Sequence, residues 1–304
     1  MLGTRLVSGI LMAAALVGVL FLDEYAAPWF PLWLLVALVV SVLGASEFVG
    51  LLQATPTKPS RNIVIGGVVA LVLANWAPHI SVYLQRLPQL EGRGAHDLLL
   101  PLYALSWPMM TFVGVLMASF IAQSLQYERP GATTSTLAGT TLALAYVGLL
   151  GTFVIQLRWL EGTYHGVFPV ACLFATAKGA DTGAYTVGRI AGRHKLWPIL
   201  SPNKTIEGAI GGLVFGVLFN CTVVAVARYL LHVPSLSWPE TLVFGLVVAV
   251  FAQLGDLMES MIKRDCERKD ASDAVPGFGG ILDVIDSALF AGPIAFGLWI
   301  VLGA

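Results

Sequence analysis

The fold class follows from residues 30–53, which read FPLWLLVALVVSVLGASEFVGLLQ. Glu47 is the one ionisable residue in this stretch, and a helix needs about 20 mainly apolar residues to cross a bilayer. The whole chain has the same character, since 57% of its 304 residues are hydrophobic and 12% are charged. Soluble proteins carry about 25% charged residues, so the composition excludes a soluble enzyme.

Similar apolar runs recur along the chain and predict an all-α fold, a polytopic integral membrane helical bundle with about nine transmembrane helices. The first run, between Arg5 and Asp23, can also be read as the hydrophobic region of a signal peptide. The nine runs lie at roughly 6–22, 30–53, 62–78, 98–122, 135–157, 164–187, 206–231, 239–259 and 281–302.

Lysine and arginine are divided unevenly between the two sides that this topology creates. Lys178 falls inside a run, and only Arg86, Arg93, Arg158 and Arg228 fall on the side opposite the N-terminus. Positive charge is retained in the cytoplasm, so we expect a cytoplasmic N-terminus and an external C-terminus in the cell (inner) membrane. The N-terminal side holds Arg5, Lys58, Arg61, Arg129, Arg189, Arg193, Lys195, Lys204, Lys263, Arg264, Arg268 and Lys269.

Ionisable residues inside the apolar runs point to a polar site. Each charge at a bilayer centre costs about 2.5 to 3.5 kcal/mol, so this set predicts a shared polar cavity. The alternative is that some are buried structural ions or reach the interface, and for Glu47 both interpretations stay open. The set is Glu47, Lys178, Asp181, Glu207, Asp256, Glu259, Asp283 and Asp286.

Two of the runs bring acidic residues together at their cytoplasmic ends. Asp256, Glu259, Ser260 and Lys263 follow at i, i+3, i+4 and i+7, which places them on one face of a helix. Asp283 and Asp286 begin the next run at a spacing of three. Clustered carboxylates need a cation to remain ionised, and oxygen ligands without nearby His or Cys favour Mg²⁺.

Two loops on the same side add basic and glycine residues. One runs from Lys263 to Asp270 and continues into Pro276-Gly277-Phe278-Gly279-Gly280. Alone, its charges indicate a solvated loop or a patch for anionic lipid, but a glycine-rich turn leading into a helix also suits phosphate. The second loop runs from Asp181 to Gly208. Its bases and hydroxyls can clamp a triphosphate, although no standard nucleotide motif is present. Gly208, Gly212 and Gly216 favour close helix packing.

The order and spacing of these residues resemble the phosphatidate cytidylyltransferases, or CDP-diacylglycerol synthases. Similar segments are Gly255-Asp256-Leu257, Asp181–Tyr185 and Ser201–Gly208, so that the resemblance covers roughly residues 175–290. Phe278 and Val284 depart from the pattern, which usually has His and Arg there. The main pattern is Ser260-x-x-Lys263-Arg264, then Lys269-Asp270, then Pro276-x-x-Gly279-Gly280-x-x-Asp283-x-x-Asp286.

The resemblance implies the reaction of CTP with phosphatidate to give CDP-diacylglycerol and pyrophosphate, with Mg²⁺ and room for a second cation. It also implies a dimer, whereas a net charge of −1 leaves no basic field for nucleic acid. We expect about five transmembrane helices in residues 1–160. Residues 161–304 would form about four catalytic helices with the cytoplasmic motif loops, and both parts would belong to a single integrated membrane unit. A cation-coupled transporter and a non-catalytic relative are the alternatives.

The resemblance also assigns roles to individual residues. The metal ligands would be Asp256 and Asp283, with Asp286, Glu259 and Ser260 as further ligands or neighbours of the ligands. Lys263 and Arg264, counted with the catalytic carboxylates, would hold phosphates together with Lys204 and Arg189. Asp181 and Lys178 would be orienting groups. Residues expected to bind substrate are Asp181, Arg189, Ser201, Lys204, Glu207, Lys269, Gly279 and Gly280.

Overall fold

The computed structural model describes residues 2–80, 96–128, 130–131, 133–160, 166–233, 235–275, 277 and 279–302. Ten α-helices and one two-stranded sheet account for most of this part of the chain. The helices are α1 Leu2–Asp23, α2 Pro31–Leu52, α3 Arg61–Ala74, α4 His96–Leu125, α5 Thr133–Ala143, α6 Leu150–Gln156, α7 Val167–Ala191, α8 Ile206–Ala225, α9 Trp238–Asp265 and α10 Ile281–Leu302; the strands are β1 Lys195–Trp197 and β2 Ser201–Thr205.

The predicted class, an all-α membrane bundle, is confirmed. Within the described residues, eight helical stretches are long and apolar enough to cross a membrane. A π-helical segment, Leu144–Leu149, joins α5 to α6, and the three segments together make one span. Another π-helical segment, Val226–Leu230, extends α8 within a single span. The eight stretches are Gly9–Ala26, Pro31–Leu52, Arg61–Ile80, Pro101–Leu125, Thr133–Trp159, Ile206–Leu230, Trp238–Asp265 and Ile281–Leu302.

The remaining predicted span, 164–187, corresponds to α7. This helix has 25 residues, enough length for a hydrocarbon core about 30 Å thick. It is not among the eight apolar stretches, because it carries Lys178 and Asp181 together with several small residues. The two ionisable residues that make α7 a candidate part of a polar site therefore also lower its hydropathy.

The chain divides into two compact units. Unit one contains residues 1–156 and 265–284, and unit two contains residues 157–264 and 285–304. The first boundary lies near the division that we expected at residue 160. The loop after α9 and the first turn of α10, however, belong with the N-terminal helices, which sequence order alone does not reveal.

Unit one is built around α2, α3 and the α5–α6 span. Phe48 of α2 stacks on Tyr146 of the π-helical segment, with ring centroids 5.1 Å apart. Asp23 starts α2 by accepting hydrogen bonds from the backbone N–H groups of Leu32 and Trp33, at 3.0 and 2.8 Å. This carboxylate satisfies donors that a helix N-terminus leaves unpaired.

Unit two depends on close packing of α7 against α8. A Cβ atom at Gly208 would lie 2.8 Å from the carbonyl oxygen of Ala184, and one at Gly212 would lie 2.9 Å from that of Ala180. Gly216 has the same restriction against Ala249 of α9. The packing interpretation of these three glycines is confirmed.

A short β-hairpin precedes α8, where we had expected an irregular loop. Lys195 pairs with Thr205, and Trp197 pairs with Ser201, in antiparallel register. Thr205 then caps α8, because its side-chain oxygen accepts a hydrogen bond of 3.1 Å from the backbone N–H of Gly208. The hairpin thus ends directly at the helix that packs on α7.

Candidate functional site

Three carboxylates of unit two come together where α9 meets α10. They belong to Asp256, Glu259 and Asp286, and each offers an oxygen within 4.8 Å of the others. The spacing of three between Asp256 and Glu259 puts both on one helical face, as the sequence predicted. Glu259 is 1% exposed and Asp286 is 4% exposed, so the group lies largely away from solvent.

Gly255 explains how the two helices approach closely enough. A Cβ atom at this position would lie 2.6 Å from Cβ of Phe290 and 3.0 Å from the carbonyl oxygen of Asp286. No residue with a side chain fits there without a shift of the backbone. The glycine that precedes Asp256 therefore sets the distance between the acidic faces of α9 and α10.

Lysine ammonium groups balance this acidic group. Lys204 of β2 lies 2.7 Å from Oδ2 of Asp256, and Lys263 forms an ion pair with Glu259 one turn earlier in α9. Lys263 is 8% exposed, so its charge is held inside the site. Asp286 accepts a hydrogen bond of 3.1 Å from the hydroxyl of Ser287.

Lys178 and Asp181 of α7 belong to the same electrostatic group. Their side chains form an ion pair of 3.0 Å, and Lys178 also interacts electrostatically with Asp286 and Asp256. Four acids and three lysines from α7, β2, α9 and α10 are thus concentrated in unit two. We had expected Lys178 and Asp181 to act as orienting groups, and that role stays a prediction.

The donor set of the three carboxylates fits a hard divalent cation. Carboxylate oxygens are the ligands that Mg²⁺ prefers, and the separation of 4.8 Å or less is close to the span of two metal–oxygen bonds. Ser260 follows Glu259 in α9 and is partly buried. Residues that can hold a cation are therefore Asp256, Glu259 and Asp286, two of which come from one helix face.

Asp283 has a different environment from the three clustered carboxylates. In unit one, its Oδ2 accepts hydrogen bonds from the backbone N–H groups of Ala271 and Gly280, at 2.9 and 2.7 Å. This carboxylate fastens the loop after α9 to the first turn of α10. Its assignment as a main metal ligand stays a prediction.

The glycine-rich turn uses its own backbone donors internally. Gly277 and Gly279 have φ values of 87° and 103°, in the region that favours glycine. The N–H of Gly279 donates to the carbonyl of Val275, and that of Gly280 donates to Asp283. Both groups were expected to bind phosphate, and here they are engaged within the protein. The departure at Phe278 lies outside the described residues.

The other residues expected to bind substrate have separate surroundings. Glu207 accepts hydrogen bonds from the backbone N–H groups of Arg193 and His194, so it fastens the start of the hairpin. Arg189 is exposed and donates to the hydroxyl of Tyr185. Ser201 lies on β2 and is partly buried, while Arg264 and Lys269 are exposed near the end of α9 and in the loop after it.

Sequence reasoning missed one hydrogen-bond partner of this group, and it left the partners of Glu47 unidentified. The hydroxyl of Ser287 binds Asp286, and its position directly after a motif aspartate is the only signal for it in the sequence. Glu47 accepts hydrogen bonds from the first turn of α10 and from Ser272. These partners are more than two hundred residues away in the chain, so no local pattern could identify them.

Fold and site together define a polytopic helical membrane protein with a partly buried cluster of carboxylates and lysines. The profile of the cytidylyltransferase family matches residues 3–302, and the chain belongs to that family. Phosphatidate cytidylyltransferase of Staphylococcus saprophyticus is 32% identical over 216 residues, covering 71% of this chain and 75% of the relative. The enzymes of the same name from Bacillus subtilis and Staphylococcus aureus are 39% and 36% identical, covering 51% and 75% of this chain and 55% and 89% of the relatives.

Proposed function

We propose that this protein is a phosphatidate cytidylyltransferase. It transfers the cytidylyl group of CTP to phosphatidate and releases pyrophosphate, giving CDP-diacylglycerol for phospholipid biosynthesis. The observation that carries the proposal is the largely buried group of Asp256, Glu259 and Asp286, with lysines beside it, in a membrane member of the cytidylyltransferase family. Anionic substrates need positive charge, which the lysines and a metal ion held by the carboxylates would supply. A lipid substrate needs a site that it can reach from the bilayer.

In the reaction, an oxygen of the phosphatidate phosphate attacks the α-phosphorus of CTP. One P–O bond forms to the lipid phosphate, and the bond from the α-phosphorus to the bridging oxygen breaks, so that pyrophosphate leaves with the electron pair. The attacking phosphate is already anionic and requires no side-chain base. Such transfers depend on positioning and on neutralising charge.

Asp256, Glu259 and Asp286 would hold Mg²⁺. The resemblance implies Asp283 as a main ligand beside Asp256, and Ser260 as a further ligand or a neighbour of the ligands. When bound, the cation neutralises charge on the phosphate oxygens. The three carboxylates are close enough to bind one ion with little rearrangement, because each already offers an oxygen toward the others.

The lysines would bind the phosphates of the substrates. Lys204 and Lys263 now pair with Asp256 and Glu259, and either ammonium group can turn toward a phosphate oxygen when its carboxylate binds a cation. Arg264, Arg189 and Lys269 would supply further positive charge from more exposed positions. Burial of Lys263 and Asp286 would also limit water near the α-phosphorus, which favours transfer to lipid over hydrolysis of CTP.

Topology and assembly form part of the same proposal. The excess of Lys and Arg on one side supports a cytoplasmic location for the N-terminus and both motif loops, where CTP is found. Phosphatidate would enter from the cytoplasmic leaflet of the cell membrane. A homodimer, implied by the family resemblance, would be tested by the mass of the detergent-solubilised protein.

The direct test uses purified protein in mixed micelles with phosphatidate and radiolabelled CTP. We expect labelled CDP-diacylglycerol with added Mg²⁺ and none with excess EDTA, and we expect restoration when Mg²⁺ is returned. Diacylglycerol in place of phosphatidate is the matched control, because it lacks the attacking phosphate. A protein that makes no lipid-linked product under these conditions would contradict the proposal.

A further inference from the structure

Glu47 is an acidic side chain of α2 that the proposed chemistry does not use. Its Oε1 accepts hydrogen bonds from the hydroxyl of Ser272 at 2.6 Å and from the backbone N–H of Ile281 at 3.1 Å. Its Oε2 accepts one from the N–H of Leu282 at 2.8 Å. One carboxylate therefore binds both the loop after α9 and the first turn of α10.

The start of α10 is organised around this carboxylate. A helix N-terminus carries unpaired N–H donors and a partial positive charge, and both favour an anion. Glu47 takes the donors of Ile281 and Leu282, and Asp283 takes that of Gly280. A phosphate would have to displace a built-in carboxylate to bind at these three groups.

Gly280 is explained by the same contact. A Cβ atom at this position would lie 2.5 Å from Oε2 of Glu47 and 2.8 Å from its Cδ, so any other residue would displace the carboxylate from this position. Ser272 extends the arrangement along the loop, because its hydroxyl also accepts a hydrogen bond of 3.2 Å from the N–H of Ala274. The second glycine of the motif therefore serves an intramolecular carboxylate.

We infer that Glu47 is a positioning residue, which fixes the loop after α9 and the first turn of α10 and thereby sets the orientation of the carboxylates that α10 carries. Those carboxylates are Asp283 and, one turn later, Asp286. The inference rests on the proposed function in giving those two residues a role toward the cation. The capping itself does not depend on that role.

The first test measures the loop directly and needs no catalysis. Glu47→Gln keeps the shape of the side chain but removes its charge and turns an NH₂ donor toward a backbone N–H. Trypsin should then cut at Arg268 or Lys269 about tenfold faster than in the natural protein, because local opening of the loop becomes easier. Glu47→Asp keeps the charge on a shorter side chain, so its rate of cleavage should lie between those of the natural protein and of Glu47→Gln.

The matched control is Asp23→Asn. Asp23 also caps a helix of unit one, but it binds Leu32 and Trp33 and makes none of the hydrogen bonds that Glu47 makes to the loop. The Asp23→Asn variant should have a lower thermal unfolding temperature than the natural protein, but it should be cut at Arg268 or Lys269 no faster. If both variants speed this cleavage equally, Glu47 has only a general structural role and the inference is overturned.

The second test separates positioning from loss of folded protein. Glu47→Gln should raise the Mg²⁺ concentration for half-maximal cytidylyl transfer by about tenfold or more, the scale seen for residues that orient metal ligands. A fall in maximal rate with an unchanged Mg²⁺ requirement would contradict the inference. Should Glu47→Gln fail to fold, Ser272→Ala supplies the test, with smaller changes in the same directions expected. A protein without transferase activity would overturn the proposed function and leave the cleavage test intact.

Discussion

The ammonium nitrogen of Lys204 lies 2.7 Å from Oδ2 of Asp256. Lys204 belongs to the hairpin before α8, and Asp256 belongs to α9, so this ion pair joins the two motif segments of unit two. Each segment alone has several structural interpretations. Together they place an ammonium group beside a carboxylate, which is the combination that the proposed nucleotidyl transfer would use.

Removing the ammonium group of Lys204 should strongly impair cytidylyl transfer. Lys204→Ala should lower kcat/KM for CTP at least about tenfold, since a hydrogen bond to a charged group contributes about 1.5 to 3 kcal/mol. Lys263→Ala should have an effect of the same size or larger. Lys195→Ala is the control from the same hairpin, because Lys195 is exposed and donates to the carbonyl of Pro202. Equal kinetics of the Lys204 and Lys195 variants would contradict the assignment.

The fold class and the meeting of three motif carboxylates could be predicted because apolar runs and helical spacing are local signals. The i, i+3 relation of Asp256 and Glu259 depends only on helix geometry, and the three carboxylates do meet. The engagement of the Gly280 N–H by Asp283 could not be predicted in the same way. A turn with free donors and a turn with satisfied donors have the same sequence pattern.

Long-range partners were also beyond the sequence. Glu47 looked equally suited to a structural or a functional role, because its partners lie in a loop far along the chain. The β-hairpin was missed since its strands are three and five residues long and carry no alternation of apolar side chains. Both features arise from tertiary contacts that no window of neighbouring residues contains.

Gly255 gives a test of helix approach. Gly255→Ala adds a Cβ atom that would lie 2.6 Å from Cβ of Phe290, so α9 and α10 must separate. We expect a fall of at least about tenfold in activity, because small displacements of catalytic groups are costly. Gly297→Ala in α10 is the matched control, since no atom lies within 4 Å of the added methyl group. Unchanged activity of Gly255→Ala would show that this close approach is not needed.

The topology makes a separate prediction. Nine spans with a cytoplasmic N-terminus place Arg193 in the cytoplasm and Ala304 outside the cell membrane. Reporter fusions at these two positions should therefore give opposite signals. Matching signals would show that α7 does not cross, or that another predicted span is absent.

The departure at Phe278 predicts a small effect. Phenylalanine cannot donate a hydrogen bond, and in the proposed reaction lysine and arginine side chains would bind the phosphates. Phe278→His should change the rate by less than about tenfold. The natural protein could instead be inert with CTP and phosphatidate, while the double variant Phe278→His with Val284→Arg is active. That result would show that the natural protein is a family member without catalytic activity.

The measurement closest to the central claim is phosphatidate-dependent release of pyrophosphate from CTP by variants of the three clustered carboxylates. Asp256→Asn and Asp286→Asn should each lower turnover at least about a hundredfold, the scale of losing a main electrostatic stabiliser. Asp273→Asn, in the exposed part of the loop, should retain the natural rate. Near-natural turnover in the Asp256 and Asp286 variants, with properly folded protein, would contradict the claim that these carboxylates form the catalytic centre.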